Sequence, residues 1–185
     1  MPRPPRENVP GTYHVVGEGV SSRALFSGGE TRRVFLALVN GAYERYSLSV
    51  TAYCLLSTHY HLIVQTTEAD LSRSMQWLNS RYAERINAEA RERGHLFGAR
   101  FWSRRITSDP DLLATTRYIA LNPVKAEICR SAEQWPWSSY SIFVRGLRRP
   151  PFFDPSLILS LFGAREDVAL RRLRAYVEDG LTAPP

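Results

Sequence analysis

Cysteine is scarce in this chain of 185 residues: only Cys54 and Cys129 occur, in unrelated contexts and in no C-x-x-C pair. That excludes a disulfide framework and a thiolate zinc cluster, and a reduced, cytoplasmic chain is expected. No run of 18 apolar residues exists, so no membrane-spanning helix is expected. The opening Met1-Pro-Arg-Pro-Pro-Arg is basic and proline-rich, without the apolar stretch of a secretory signal. Lysine is nearly missing as well; of 24 basic residues only Lys125 is not arginine, a bias that a GC-rich genome also produces. Internal repeats and low-complexity tracts are absent.

What is present is an apolar fraction of 44%, enough for a packed core, and a formal charge of +6. The length fits one domain and a small appendage. The charge favours an anionic partner, of which nucleic acid is the usual one.

Periodicity divides the chain into alternating elements. Residues 11–18 read as a strand after a Pro-Gly turn, and the small, Gly/Ser-rich residues 20–29 as a loop. From Glu30 to about Tyr46, Val34, Leu38 and Ala42 recur at helical spacing, with Phe35 and Val39 beside them. Residues 47–56 and 59–66 are two β-rich runs joined by the short link Ser57-Thr58, which fits a hairpin. Asp70 to about Arg93 predicts a long helix with the stripe Leu71, Met75, Leu78, Tyr82 and Ile86. Residues 100–107 predict a fourth strand. The next helix is capped by Ser108 or Asp109, with Pro110 at its first position. It should end near Asn122, because Pro123 disfavours helical geometry in the residue before it. The order β-α-β-β-α-β followed by helices predicts an α+β fold: the ferredoxin-like split βαβ, an antiparallel sheet with helices, plus C-terminal helices. The predicted organisation is a tail over 1–10, a catalytic domain over 11–150 and a helical appendage over 151–185, with short helices at 155–163 and 165–178.

His59 and His61 stand at i and i+2 on a predicted strand, so their side chains share one face, about 6.5–7 Å apart along it. Two imidazoles so placed can converge on one cation, given a further oxygen ligand. Two ordinary half-exposed histidines carry the same spacing. Tyr118 and Asn122 are four apart on a predicted helix and therefore share a face; a core tyrosine and a helix-terminating asparagine would look the same. Tyr13, Tyr60 and Tyr82 are competing tyrosines. His14 and His95 are isolated histidines, and a lone histidine is usually structural.

Taken together these runs resemble a known family. Tyr53-Cys-Leu-Leu-Ser-Thr-His-Tyr-His-Leu-Ile-Val is similar to the metal-binding strand of the HUH single-tyrosine transposases. Arg117-Tyr-Ile-Ala-Leu-Asn-Pro-Val-Lys-Ala resembles the nucleophile helix of their REP-associated tyrosine transposase branch. Gly11-Thr-Tyr-His-Val, Leu78-Asn-Ser-Arg-Tyr-Ala, Gly94-His-Leu-Phe-Gly-Ala-Arg-Phe and Trp135-Pro-Trp-Ser-Ser-Tyr match in place and character. The resemblance runs from about residue 10 to about 145. Ser57-Thr58 stands where the family often has Pro-Asn, Ala120 where a polar residue often follows Tyr-Ile, and Phe97-Gly-Ala-Arg-Phe lacks the usual glutamine. These departures concern DNA contacts and fine positioning and remove no proposed catalytic residue.

The resemblance implies that His59, His61 and Asn122 hold a divalent metal, Mg or Mn, and that Tyr118 is the nucleophile. It implies a DNA endonuclease and strand transferase that nicks and rejoins single-stranded DNA carrying a hairpin, such as a REP-like palindrome, through a 5′-phosphotyrosine. Arg100, Arg104, Arg105, Lys125 and Arg130 flank the expected site and are candidate phosphate contacts. Trp102, Trp135 and Trp137 are candidate stacking platforms, though at least two of the three are expected to be core residues. A monomer and a homodimer both remain open. Two rivals stand beside this reading. One is a single-stranded nucleic-acid-binding module, a domesticated relative that does not cleave. The other is a metal hydrolase that uses bound water and forms no covalent adduct.

Overall fold

The computed structural model describes residues 9–68, 70–91 and 94–181. Most of the basic tail expected over 1–10, and the expected helix end near Arg93, lie outside the described residues.

Four strands, β1 (Gly11–Glu18), β2 (Ser49–Leu55), β3 (His59–Thr66) and β4 (Trp102–Ile106), form one sheet in the order β2-β3-β1-β4. Every neighbouring pair is antiparallel. Two helices, α1 (Gly29–Tyr46) and α2 (Leu71–Ala90), connect them in the split βαβ order and pack against each other. α3 (Asp109–Lys125) crosses to the other side of the sheet and packs on β2 and β3. The remaining helices are α4 (Ser139–Arg145), α5 (Ser156–Ser160) and α6 (Glu166–Asp179).

Strand alternation decides which residues meet which helices. On β3, Tyr60, Leu62 and Val64 turn toward α1 and α2 and are buried. Tyr60 packs on Phe35 at 4.8 Å between ring centroids, and its hydroxyl donates to Asn79 Oδ1 at 2.8 Å. Its cross-strand partner is Gly17, where an added Cβ would lie 2.4 Å from the Tyr60 ring. Glycine is thus required by close approach rather than by a turn. His59 and His61 take the opposite face.

The helical stripes follow the sequence pattern with one shift. On α2, Leu71, Met75, Leu78 and Tyr82 are buried as the spacing predicts. On α1 the buried line is Phe35, Val39 and Ala42, while Val34 and Leu38 sit at its margin.

α3 departs from the expected end at Asn122. Ser108 is its N-cap, accepting from the Asp111 N–H, and the helix runs through Pro123 to Lys125. A proline so close to the helix end forfeits one intrahelical bond, to the carbonyl four residues back. The following turn is closed by Ala126 N–H to Asn122 O and Ile128 N–H to Pro123 O, each 2.9 Å. Residues Ile119 to Pro123 are all buried, so packing outweighs the local preference of the residue before proline.

The outer edge of β2 is occupied by the returning chain. Val50 N–H donates to Phe152 O, Tyr53 N–H to Ser139 Oγ and Leu55 N–H to Trp137 O, all at 2.8–2.9 Å. That removes an edge on which a second sheet could grow. The Trp135 indole N–H donates to Leu55 O, and the Arg32 guanidinium lies over both Trp135 and Trp137. These two tryptophans brace β2 and are not free platforms. Phe152, Phe153, Ile158, Leu173 and Val177 join the same apolar cluster as the sheet. Among the described residues no helix is long and apolar enough to cross a membrane.

Candidate active site

The site lies between the open face of the sheet and α3. His59 and His61 come from alternate positions of β3, with ring centroids 5.1 Å apart and planes nearly perpendicular. Tyr118 and Asn122 come from one face of α3, one turn apart. The Tyr118 ring stands edge-on to His61 at 5.3 Å between centroids. The Asn122 amide lies 3.2 Å from His61 Nε2. Its nitrogen and oxygen are interchangeable by a flip, so the oxygen can face the same point.

The second ring nitrogen of each histidine is already engaged. Thr58 Oγ1 lies 3.0 Å from His59 Nδ1, and His14 Nε2 lies 3.1 Å from His61 Nδ1. Both Nε2 atoms are thereby left for a cation or for Asn122, the arrangement in which an outer partner fixes the tautomer of a metal-binding histidine. Thr58 is one of the departures from the family pattern, and its hydroxyl orients the first histidine.

Burial sets the protonation of the cluster. It pulls His61 down to about 3, with the neighbouring His14 and His59 adding to the effect. It pulls His14 down to about 4, helped by the positive charge of Arg104. His59 is lowered for the same reason, partly opposed by Glu18. At neutral pH all three imidazoles are neutral, the form that binds metals. Two imidazoles and an amide oxygen form a mixed nitrogen and oxygen donor set, which suits a borderline divalent cation such as Mn better than Mg, whose preferred donors are oxygens. Among the described residues no three His, Cys, Asp or Glu side chains form a metal-holding group, so the set depends on the Asn122 amide.

His14 is the residue that sequence reasoning left aside. It is buried on β1 at a position paired with Ile63, on the face that also carries His61. It stacks on His61 at 5.3 Å and lies edge-on to both Trp102 and Tyr118. With Arg104, Asp111, Thr115 and Tyr118 it lines a small cavity of about 270 Å³. Arg104 is fixed there, donating to Asp111 and to Thr115 Oγ1. That hydrogen bond and the adjoining positive charge hold the Asp111 carboxyl below the ordinary carboxylate range.

The tyrosines separate by environment. The Tyr82 hydroxyl donates to Leu25 O at 2.6 Å, Tyr13 to Val9 O and Tyr60 to Asn79, and all three rings are buried. Tyr118 is 42% exposed beside the histidines. Of the candidate cations, Arg104 lines the cavity and Lys125 Nζ lies 5.9 Å from the Tyr118 ring centroid. Arg105 sits on the opposite face of β4 and reaches Pro10 O. Arg100 lines a separate cleft, and Arg130 is exposed beyond the end of α3 with its backbone N–H bonded to Gln134. His95 lines that separate cleft too and is not part of the cluster.

The family model described as transposase IS200-like matches residues 10–121. The chain belongs to the IS200-like transposase family. A Haemophilus influenzae protein named, by inference, as a REP-associated tyrosine transposase is 29% identical over 108 residues, 52% of this chain. The matched region spans 61% of that relative's length. A solved REP-associated tyrosine transposase bound to a REP hairpin superposes with a TM-score of 0.69 at 20% identity, covering 89% of this chain and 98% of that one. At that identity the likeness carries the fold. The α+β sheet-and-helix arrangement expected from the sequence is the fold this chain shares with that solved structure.

Proposed function

We propose that this chain nicks and rejoins single-stranded, hairpin-bearing DNA through a covalent bond to Tyr118. The observation that carries the reading is the exposed Tyr118 ring set 5.3 Å from the buried His61 ring, with Asn122 one turn further along the same helix face. A strand laid along α3 would bring one phosphate to the histidines and the phenol together.

A divalent cation held by His59, His61 and Asn122 supplies Lewis acidity and a template for the scissile phosphate. The chain's own groups do the rest. The Tyr118 oxygen forms a bond to phosphorus as the bond to the 3′ oxygen breaks. The phenolic proton is lost, the departing oxygen takes up a proton, and the products are a 5′-phosphotyrosine and a free 3′-OH. Arg104, held by Asp111 and Thr115 in the cavity that Tyr118 lines, and Lys125, 5.9 Å from the Tyr118 ring centroid, offset phosphate charge near the phenol. His14 keeps His61 in the tautomer that presents Nε2. Because the phosphotyrosine conserves the energy of the broken ester, a second 3′-OH can reverse the step. One tyrosine per chain handles one strand end at a time, so full transposition needs two subunits or sequential use of one site.

The solved neighbour bound to a REP hairpin supports a hairpin as substrate. The test is a denaturing gel of the chain with a hairpin oligonucleotide and Mn or Mg. Wild type should form a protein–DNA adduct, and Tyr118→Phe should form none. An adduct in Tyr118→Phe would refute the nucleophile. Cleavage without an adduct in wild type would favour hydrolysis by water.

A further inference from the structure

Helix α3 carries two seams one residue apart. Tyr118 and Asn122 face the histidines, while Arg117 and Leu121, the residues just before them, meet the end of α6. Successive residues on a helix point about 100° apart, so α6 grips α3 beside the face that bears the phenol.

The contact is specific. The Arg117 guanidinium carbon lies 3.6 Å from the centroid of the Tyr176 ring. Arg117 Nε is buried without a hydrogen-bond partner among the described residues, and the aromatic face is the contact that holds the group. Tyr176 is backed by Phe162, at 5.6 Å between ring centroids. Gly180 closes the other side. Its backbone is ordinary helix, φ −70° and ψ −9°, so no conformation demands glycine there. Space does: a Cβ would lie 2.5 Å from Arg117 Cδ and 3.0 Å from Leu121 Cδ1. The stripe Ala169, Leu173 and Val177 already buries the apolar face of α6. The half-buried Arg117–Tyr176 stack is an addition to that stripe, placed one residue from the phenol.

Rotation of α3 is what such a contact limits. An atom about 6 Å from a helix axis moves about 1 Å for each ~10° of turn. A displacement of about 1 Å at the reacting atoms can lower a rate ~100-fold. Tyr118 is 42% exposed, so its reach depends on how the helix beneath it is held. We propose that Arg117, Tyr176 and Gly180 form a positioning clamp through which α6 sets the rotation of α3, and with it the reach of Tyr118 over His59 and His61. The three act through the helix and are not catalytic. The inference rests on the strand-nicking reading for the reaction that the clamp serves.

The test separates rate from binding. Wild type, Tyr176→Phe, Tyr176→Leu, Arg117→Met and Gly180→Ala are compared for single-turnover adduct formation with saturating hairpin oligonucleotide and Mn. Hairpin affinity is measured by fluorescence anisotropy without Mn, and circular dichroism melting controls for folding. In parallel, a fluorinated tyrosine is placed at Tyr118 alone and its fluorine resonance is recorded in each background. Tyr176→Leu and Arg117→Met should slow adduct formation roughly 10- to 100-fold while hairpin affinity stays within about twofold of wild type. The two changes combined should be no slower than the slower single change. Tyr176→Phe keeps the aromatic face and should keep the rate. The fluorine signal, one line in wild type, should broaden or divide in the two slow variants. Gly180→Ala adds only a Cβ and should slow the rate in the same direction, which preserves the comparison if the larger changes unfold the chain. A folded Tyr176→Leu with the wild-type rate and line would overturn the proposal. So would Tyr176→Phe as slow as Tyr176→Leu, or rate and affinity lost by the same factor. If wild type forms no adduct while the fluorine line responds to Tyr176→Leu and not to Tyr176→Phe, the clamp stands and the nicking reading fails. If the adduct forms and the variants match wild type, the reverse holds.

Discussion

At the scale of single residues, neutrality and orientation of the imidazoles do the work. His14 meets His61 at Nδ1, 3.1 Å away, the ring nitrogen opposite the one proposed to bind the cation. Replacing it with alanine leaves His61 free to rotate or change tautomer. His14→Ala should weaken Mn binding about 10- to 100-fold, the usual effect of losing an outer partner, as read by titration calorimetry. His14→Gln keeps an acceptor and should recover most of the affinity. Equal binding by the alanine variant would remove His14 from the site. Tyr118→Phe removes a hydroxyl from a partly exposed ring and should change unfolding free energy by less than about 0.5 kcal/mol. Its effect should be confined to the adduct.

Protonation has a definite sign here. His14 and His61 titrate near 4 and 3 when folded, below the ordinary 6.5. As pH falls below 6.5 the unfolded chain takes up protons that the folded chain refuses. Stability of the metal-free protein is therefore whole above pH 6.5 and declines as pH drops toward 4 and 3. Each group contributes up to about 1.4 kcal/mol per pH unit within that window. Urea denaturation at pH 7.5, 6 and 5 measures it, and a flat profile would contradict the burial of both rings.

At the scale of elements, the close contact of β1 and β3 sets the fold. Gly17→Ala would put a Cβ 2.4 Å from the Tyr60 ring and should cost about 1–3 kcal/mol by chemical denaturation. Strands β1 and β3 coincide with the residues expected from their β-rich runs and bounding turns, although β3 is buried on both faces and shows little alternation. The α2 stripe is legible from its helical spacing. The end of α3 is not: the rule for a residue before proline describes a local preference, and burial of Ile119 to Pro123 outweighs it. The i,i+2 and i,i+4 spacings put His59 with His61 on one face of β3 and Tyr118 with Asn122 on one face of α3, but spacing alone fits ordinary residues equally, and it is the family resemblance that singles these four out. His14 was not legible, since its place depends on the register of two strands distant in sequence. Strand parity puts it on one of two faces, and only the pairing of His14 with Ile63 brings it to His61.

At the scale of the molecule, the chain wraps both faces and one edge of a small sheet. The Trp135–Trp137 segment looks like a stacking surface in the sequence because aromatic content says nothing of what the rings touch. In the fold its indole and backbone groups satisfy the edge of β2. Removing residues 151–185 would uncover Tyr53 and Val50, which meet Phe152 and Phe153, and part of α3, which meets α6. The truncated chain should unfold at markedly lower urea concentration than the full chain, and an unchanged midpoint would show that the last helices contribute nothing to the sheet.

The most direct measurement is the mass of the adduct's peptide. A hairpin oligonucleotide is incubated with the chain and Mn, the complex is digested with protease and nuclease, and the modified peptide is sequenced by mass spectrometry. The account predicts a nucleotide joined through its 5′ phosphate to Tyr118, with the released fragment ending in a 3′-OH. A modified residue other than Tyr118, or released DNA carrying an unattached 5′ phosphate, would contradict it.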